Sequence, residues 1–451
     1  MVKKDRKVKM ENGNPLSFFG GGEGGFSYQL SNTSWFWIPC LFTAEEIAST
    51  VVMYVALLMF IQFGASEVMA AVQSALLFLP WVMKSYLYSK VKKAASFKFY
   101  LHLDEILMFL CLMGMAIYIL EAKVQVWVLF AFFFVLSLLC AWHEMLSRLY
   151  YRRMLIPLQQ QLFLGTKQFS SQVAQVITYG VLIIVAGFFE VFFRSYQKAW
   201  AMESSLVAGG FLLVLALNFF CLPYMRVYSP YRHETLANAM RNEWQVLGRI
   251  RQKPHVAQVL LSLFLLLLPQ ALMFNTRLFF LLDATEEGGL GCSVQDVGFA
   301  QGTIGVIAFS IGIVLGRILM KRRGKGKMFW LSAVVLTLSP LSYLLMALEP
   351  PVNNMPYLCC MTFCAQLCFG FGLNICDVFV SYISEQRYRN VTNYLYVPMV
   401  ASLMLVPMTL SGWLCTLLGY PIYFMLSVAI APVAWLILAS SKTKKILIKD
   451  E

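Results

Sequence analysis

Twelve apolar stretches, each long enough to cross a lipid bilayer, fill the chain between residues 34 and 440. A helix needs about 20 mostly apolar residues to span the hydrocarbon core. Within lipid every backbone polar group has to be satisfied inside its own segment, so helices are the expected spanning form. Hydrophobic residues make up 59% and charged residues 13% of the 451 residues, whereas a soluble domain carries about 25% charged residues. The sequence therefore predicts an all-α polytopic membrane protein with 12 transmembrane helices.

One long polar segment, from Tyr224 to Lys253, divides the predicted spans into six and six. The expected domains are a flexible cytoplasmic N-terminal tail, an N-terminal six-helix bundle, a cytoplasmic linker, a C-terminal six-helix bundle and a cytoplasmic C-terminal tail, at residues 1–33, 34–222, 223–254, 255–440 and 441–451. The predicted spans are residues 34–62, 67–88, 98–120, 124–147, 158–192, 200–222, 255–281, 294–320, 327–347, 356–383, 391–418 and 420–440.

The distribution of lysine and arginine predicts the orientation. With twelve spans, most of the 36 basic residues fall in segments on one side of the membrane, including both tails and the linker. Basic residues are retained on the cytoplasmic side, so both termini are expected there. The net charge of +13 is spread over these membrane-flanking segments. A dispersed charge of this kind anchors the topology, and nucleic acid is not an expected partner.

The chain lacks the motifs of ATP-driven pumps and of common hydrolases. It contains no GxxxxGK[ST] phosphate loop, no HExxH or CxxC pair and no GxSxG elbow. We therefore predict that the protein is not an enzyme and needs no cofactor. Cys360, Cys364 and Cys368 share one helix face, but no histidine accompanies them, so they are interpreted as packing residues and no metal site is predicted.

Ionisable residues inside the predicted spans are costly to bury and persist mainly where they pair, face water or carry out a function. A carboxyl group or a histidine in a partly desolvated cavity can load and release a proton. Glu46 is the leading candidate for the proton carrier, and Glu45 points about 100° away from it on a helix. His143 is either a packing residue or part of a relay with Glu144. The full set of proton-coupling candidates is Glu45, Glu46, His143, Glu144 and Asp377.

Another set of polar residues in the spans is expected to bind substrate. Its basic members would attract an anionic group, and its asparagines would supply neutral hydrogen bonds. A structural alternative is that Asp104, Glu105 and Lys167 pair between helices near the cytoplasmic surface. For Glu46, Arg277 and Asp377 the functional and structural interpretations both remain open. The substrate-binding candidates are Lys167, Asn275, Arg277 and Asn374.

Several segments between residues 34 and 430 resemble one family. Residues 34–47, SWFWIPCLFTAEEI, resemble the opening helix of AmpG-type muropeptide permeases, in a divergent Bacteroides-like branch of the major facilitator superfamily. The stretch 282–305, LDATEEGGLGCSVQDVGFAQGTIG, is the most specific match. Further similar segments are LPWVMK at 79–84, the His-Glu and Gln-Gln pairs within 143–165, FGFGL at 369–373, and residues 411–413 with 419–420.

This resemblance implies a major facilitator fold, in which two pseudo-symmetric six-helix bundles enclose a cavity near the bilayer midplane. It implies a monomeric symporter in the bacterial inner membrane, which imports a small polar solute such as a muropeptide, peptide or sugar together with protons. The alternative is a transport-inactive, transporter-like sensor or assembly protein of the same fold. Residues 85–93 motivate that alternative, because they lack the glycine and aspartate of the superfamily's gating motif.

Overall fold

The computed structural model describes residues 34–84, 97–121, 123–223, 251–350, 354–383, 389–440 and 443–447, together with Arg241, Gln245 and Gly248. Within these ranges the chain is helical and contains no strand. The predicted N-terminal tail and most of the predicted linker lie outside the described residues. The main helices are α1 Ser34–Gln62, α2 Glu67–Val82, α3 Phe97–Glu121, α4 Val126–Met154, α5 Leu164–Phe193, α6 Tyr196–Cys221, α7 Val256–Leu282, α8 Val294–Arg323, α9 Lys325–Leu348, α10 Met355–Gly372 continued by Asn374–Ile383, α11 Arg389–Leu418 and α12 Tyr420–Ser440.

Eleven helices in the described part of the chain are long and apolar enough to cross a bilayer. The remaining one, α2, is a shorter apolar helix, and the residues that follow Lys84 lie outside the described ranges. The predicted fold class, a polytopic all-α membrane protein, is confirmed. The structure establishes eleven of the twelve predicted spans by length and composition.

Two helix pairs join the first six helices to the last six. Helix α2 packs along α11, and α5 packs along α8. Helix α8 occupies the same place in the second half as α2 does in the first, and α11 occupies the same place as α5. The two contacts are therefore equivalent under a two-fold relation between the halves. Within the halves, α3 packs on α6 and α8 packs on α10.

Glycines bring the backbones of α5 and α8 into direct contact. A methyl group on Gly302 would overlap the carbonyl oxygen of Tyr179, and one on Gly180 would lie 3.0 Å from the Gly302 carbonyl oxygen. A methyl group on Gly298 would lie 2.8 Å from the backbone nitrogen of Ile184. Small residues permit this approach between membrane helices, where lipid tails leave little hydrophobic drive for association. We call this contact the α5–α8 seam.

Three of the long helices contain a π-helical segment, and all three segments lie at one level of the bundle. They are Val51–Val55 in α1, Val176–Val181 in α5 and Gly298–Gly305 in α8. A π-helical turn inserts an extra residue and redirects the side chains around it, and such turns are frequent at functional sites. The segments of α5 and α8 form the seam, and the segment of α1 lies against that of α5.

A polar contact also joins the two halves at the end of the bundle that carries loops 63–66 and 283–293, which we call the outer end. The hydroxyl group of Tyr420 in α12 donates to Asp283, after α7, and lies 3.3 Å from the carboxylate of Glu67 in α2. At the opposite, inner end the contacts between α5 and α8 are side-chain hydrogen bonds. Ser310 Oγ bonds Gln172 Oε1 at 2.5 Å, and Arg317 Nη1 donates to Gln168 Oε1 at 2.6 Å.

Replacing Gly302 by alanine should destabilise the protein, because the new methyl group has no room between the two backbones. Overpacking of this kind costs about 1–3 kcal/mol, and we expect a lower midpoint of thermal unfolding in detergent. Gly209→Ala in α6 is the matched control, since a methyl group there meets nothing within 4 Å. Equal unfolding midpoints for the two variants would contradict the close contact at the seam.

Candidate functional site

A cavity lies between the two halves at the level of the π-helical segments. Helices α1 and α5 supply one wall, and α7, α8 and α10 supply the other. The space left for solvent is about 40 Å³, room for a few water molecules, so the cavity is contracted in this conformation. We call it the central cavity. Its lining residues are Tyr54, Gln175, Tyr179, Phe274, Arg277, Gln301, Gly305, Val306, Phe309, Gln366 and Phe369.

Arg277 is the charged residue of this cavity. Its side chain is only 9% exposed, and Nε is buried without a hydrogen-bond partner. The guanidinium carbon lies 5.8 Å from the ring centroid of Tyr54 and 5.2 Å from that of Phe274. Among the described residues, no carboxylate forms an ion pair with it. Cation–π contacts provide about 0.5–2 kcal/mol, less than the several kcal/mol that burying one ion costs.

Three aromatic rings stack across the cavity and connect the halves. The ring of Tyr54 lies between that of Tyr179, at a centroid distance of 4.8 Å, and that of Phe274, at 5.9 Å. Tyr54 and Tyr179 belong to π-helical segments, and Phe274 belongs to α7. The Tyr179 hydroxyl group is buried and has no hydrogen-bond partner. It is therefore available to a ligand that enters the cavity.

Amide side chains form the polar part of the second half's wall. Gln301 of α8 donates to the Tyr343 hydroxyl group at 2.9 Å, and Gln366 of α10 donates to Gln301 Oε1 at 3.4 Å. Together with Gln175 of α5 they line the cavity near Arg277. Amides both donate and accept hydrogen bonds, so this wall suits hydroxyl or amide groups of a neutral solute moiety.

The cavity contains residues that the sequence prediction did not select. The prediction weighed ionisable residues and asparagines, and it therefore found Arg277 but passed over Gln175, Gln301, Gln366, Tyr54 and Tyr179. The available signal was the presence of single glutamines inside otherwise apolar spans, since an amide in lipid also needs a partner.

Glu46 lies on α1 and precedes Tyr54 by eight residues, which corresponds to about 12 Å along the helix. The carboxylate is half-buried and forms no ion pair with any described residue. Thr50, one turn away, has a buried hydroxyl group without a partner. Glu46 thus lies about two turns of α1 away from Tyr54 and is not among the residues that line the central cavity.

Glu45 and Glu144 belong instead to a network between helices. Glu144 accepts a hydrogen bond from Trp81 Nε1 at 2.8 Å and forms ion pairs with Lys84 and Arg148. Glu45 accepts from Ser147 and lies 3.9 Å from Arg148. Because these partners come from α1, α4 and the end of α2, the network holds the three helices together. Neither carboxylate lines the central cavity.

His143 lies in a second buried cluster, inside the first half. Its Nε2 atom is 3.4 Å from Glu105 Oε1, which also accepts from Asn218 Nδ2 at 2.6 Å. His102 Nδ1 is 3.2 Å from the other Glu105 oxygen. The cluster joins α3, α4 and α6, away from the central cavity. This arrangement agrees with the structural pairing considered for Glu105, with His143 and Asn218 as partners in place of Lys167.

The other predicted substrate contacts lie outside the cavity lining. Lys167 Nζ lies over the rings of Phe42 and Tyr151, at 4.1 and 5.6 Å from their centroids. Asn275 is fully buried, accepts from Ser74 and donates to the Met408 carbonyl group, and so links α7 to α2 and α11. The Asn374 side chain donates to backbone carbonyl groups of α8 and α10.

The side chain of Asp377, in α10, is exposed, and its neighbouring charge is Arg317. Of the nine predicted site residues, only Arg277 lines the central cavity.

A comparison of two glutamate variants would separate the structural network from the site. Glu144→Gln leaves the buried Lys84 ammonium without its carboxylate partner and removes one of the ion pairs of Arg148. Breaking a buried pair costs roughly 3 kcal/mol. Glu46→Gln removes no ion pair and should change the free energy of unfolding by less than about 0.5 kcal/mol. Chemical denaturation in detergent measures both. Equal losses would contradict the distinction drawn between the two carboxylates.

Comparison with known proteins identifies the fold. No protein-family model matches the chain, and no curated protein sequence matches it. Among solved structures, a variant of the nucleoside transporter NupG gives a TM-score of 0.68 at 13% identity, covering 90% of this chain and 99% of that one. A bacterial homolog of the human lysosomal transporter Spinster, inward-facing and unoccupied, gives 0.66 at 14% identity, with 95% and 99% covered.

A third similar structure is the D-xylose–proton symporter, with a TM-score of 0.60 at 16% identity and coverage of 89% and 96%. At identities this low the likeness concerns the fold. The chain has the major facilitator fold that these transporters share, which confirms the fold expected from the sequence resemblance.

Proposed function

We propose that the protein is a secondary active transporter that moves a small polar solute through the central cavity by alternating access. The observation that carries the proposal is Arg277, a buried cation in a cavity lined by both halves, which forms no ion pair with any described carboxylate. The similar structures, whose names describe transporters of nucleosides and of xylose with protons, support this class of function. We further propose that the protein is a monomer in a bacterial inner membrane, with both termini in the cytoplasm.

The chemistry of the cavity favours a solute with an anionic group. A buried guanidinium group without a carboxylate partner is costly, and a carboxylate or phosphate of the solute would offset that cost through charge-assisted, bidentate hydrogen bonds. The amides of Gln175, Gln301 and Gln366 would bind hydroxyl or amide groups of the same solute. Cell-wall muropeptides carry all three kinds of group, and the sequence resemblance to muropeptide permeases supports this substrate class.

The contacts between the halves support an alternating mechanism. Between α5 and α8, the outer side of the central cavity is closed by the seam, where backbones touch. On the inner side the same two helices are joined by the side chains of Gln172 with Ser310 and of Gln168 with Arg317. Side-chain hydrogen bonds contribute about 0.5–1.5 kcal/mol each and exchange readily with water. A solute would therefore enter or leave this conformation from the inner end, after those bonds open.

Proton coupling is proposed to run through Glu46. Of the five coupling candidates, Glu45 and Glu144 are held by cations or hydroxyl groups, His143 is buried among α3, α4 and α6, and Asp377 lies away from the cavity. Glu46 forms no ion pair with any described residue and lies one turn before Thr50 on α1. Its protonation would remove a negative charge near the path to Arg277 and so change the competition between Glu46 and an anionic solute for that cation.

Replacing Arg277 by glutamine should abolish binding of anionic solutes. We would screen muramyl dipeptide, other cell-wall fragments, dipeptides and nucleosides for ligands that raise the unfolding temperature of the purified protein. The active ligands should carry a carboxylate or phosphate, and Arg277→Gln should weaken their binding about tenfold or more, since hydrogen bonds to charged groups are worth about 1.5–3 kcal/mol. Lys123→Gln, which removes an exposed cation, is the control. A neutral ligand bound equally by Arg277→Gln protein would contradict the assignment.

Replacing Glu46 by glutamine should uncouple transport from protons without stopping it. In proteoliposomes, uptake driven by a proton gradient should fall to the level seen without a gradient, because glutamine takes up no proton. Exchange of labelled for unlabelled solute at equal pH should persist. Glu121→Gln, an exposed carboxylate at the end of α3, should retain both activities. Gradient-driven uptake by Glu46→Gln protein would contradict the coupling role, and wild-type protein that binds solute without any flux would overturn the transport proposal itself.

A further inference from the structure

A second cavity lies on the boundary between the halves at the outer end. Its volume is about 450 Å³, within the range of about 300–1,000 Å³ that small-molecule sites occupy, whereas the central cavity is contracted. The first half contributes Gln62 and Glu190, and the second contributes Cys292, Ser293 and Gln295. We call it the outer cavity.

The outer cavity is separate from the central cavity. Along α5, Gly187 lies eight residues after Tyr179, which corresponds to about 12 Å of helix. Between these levels the α5–α8 seam closes the path, and a methyl group on Gly187 would lie 2.8 Å from the backbone nitrogen of Gln295. A molecule in the outer cavity would therefore occupy a site of its own while the central cavity remains sealed from it.

A chain of hydrogen bonds holds the Glu190 carboxylate in place. The indole of Trp200, only 1% exposed, donates to Gln62 Oε1. This bond fixes the amide orientation, so that Gln62 Nε2 donates to Glu190 Oε2 at 3.3 Å. The other carboxylate oxygen keeps its capacity to accept. Among the described residues no lysine or arginine forms an ion pair with Glu190.

None of the residues that line the opposite wall is basic, and the carboxylate of Asp296 follows this wall directly in the sequence. The first turn of α8 is closed by a capping box, in which Asp296 N donates to Ser293 Oγ at 3.2 Å and Ser293 N donates to Asp296 Oδ2 at 3.0 Å. The helix terminus is thus already occupied by its own carboxylate. Burial, assisted by the charge of Asp296, raises the pKa of the Cys292 thiol to about 11. The thiol is therefore neutral at physiological pH and adds no charge to this wall.

We propose that the outer cavity is a second binding site, selective for a small organic cation with an ammonium group. The ammonium group would pair with Glu190 of the first half, and the rest of the molecule would lie against residues 292–295 of the second half. Because the wall belongs to both halves, the ligand binds this closed form of the outer end in preference to an open one. Occupancy shifts the population toward the closed form and slows transport.

Cys292 provides a direct measurement of occupancy. Wild-type protein is treated with methyl methanethiosulfonate in the presence of choline, or of 3,3-dimethyl-1-butanol, which has the shape of choline without its charge. Mass spectrometry follows modification of the Cys292 peptide. Choline should change the modification rate, by covering the sulfur or by stabilising its thiolate, while the neutral isostere should not. This choline effect should be lost in Glu190→Gln and kept in Glu121→Gln.

The outcomes separate this site from the proposed transport function, because the measurement involves no flux. A choline effect that the neutral isostere does not reproduce, and that only Glu190→Gln abolishes, supports the outer site. Equal Cys292 rates with choline and with the isostere, or an undiminished choline effect in Glu190→Gln protein, would overturn it. The unfolding temperature of Glu190→Gln protein, expected to match the wild type because Glu190 forms a single hydrogen bond to Gln62, ensures that a lost effect reports binding and not misfolding.

Discussion

The contact between the backbones of α5 and α8 positions the rest of the molecule. At Gly180, Gly298 and Gly302 no side chain separates the two helices, and in a bilayer such close packing must replace the hydrophobic effect as the force that joins helices. Tyr179 and Gln301 each lie next to a seam glycine in sequence. The seam therefore sets the distance between two walls of the central cavity and, at the same time, seals that cavity from the outer end.

The partners of a buried charged group distinguish the structural residues from those of the candidate site. Glu105 and Glu144 each have at least two partners from other helices, as expected when a charge must be stabilised in a low-dielectric interior. Arg277 is buried to a similar degree, lies over the rings of Tyr54 and Phe274, and has no ion pair with a described carboxylate. Glu203 is also buried without an ion pair among the described residues, but it does not line the central cavity. Arg277 therefore differs from the structural residues by two properties together, the missing counter-charge and the position in the cavity wall.

The sequence predicted the fold class because the length of an apolar segment is read directly from the order of its residues. It could not predict which polar residues line the central cavity, since depth along a span does not say which way a side chain faces. Asn275 illustrates the point: it lies two residues before Arg277, but about 200° around the helix, and bonds to α2 and α11 instead of facing the cavity. The π-helical segments add a further shift that no regular 3.6-residue period anticipates, and they carry Tyr54, Tyr179 and Gln301.

The proposed binding of a solute can be compared in free energy with the aromatic contacts that close the central cavity. A solute can enter only if the stack of Tyr179, Tyr54 and Phe274 separates, because about 40 Å³ is too small for anything larger than water. Each aromatic pair is worth about 0.5–1.5 kcal/mol, and the contacts of Arg277 with these rings add about 0.5–2 kcal/mol. Micromolar binding supplies about 8 kcal/mol. Under the proposed function, an anion that draws the guanidinium group off the rings would gain enough to separate the stack. The aromatic residues would then make opening of the cavity depend on the charge of the solute.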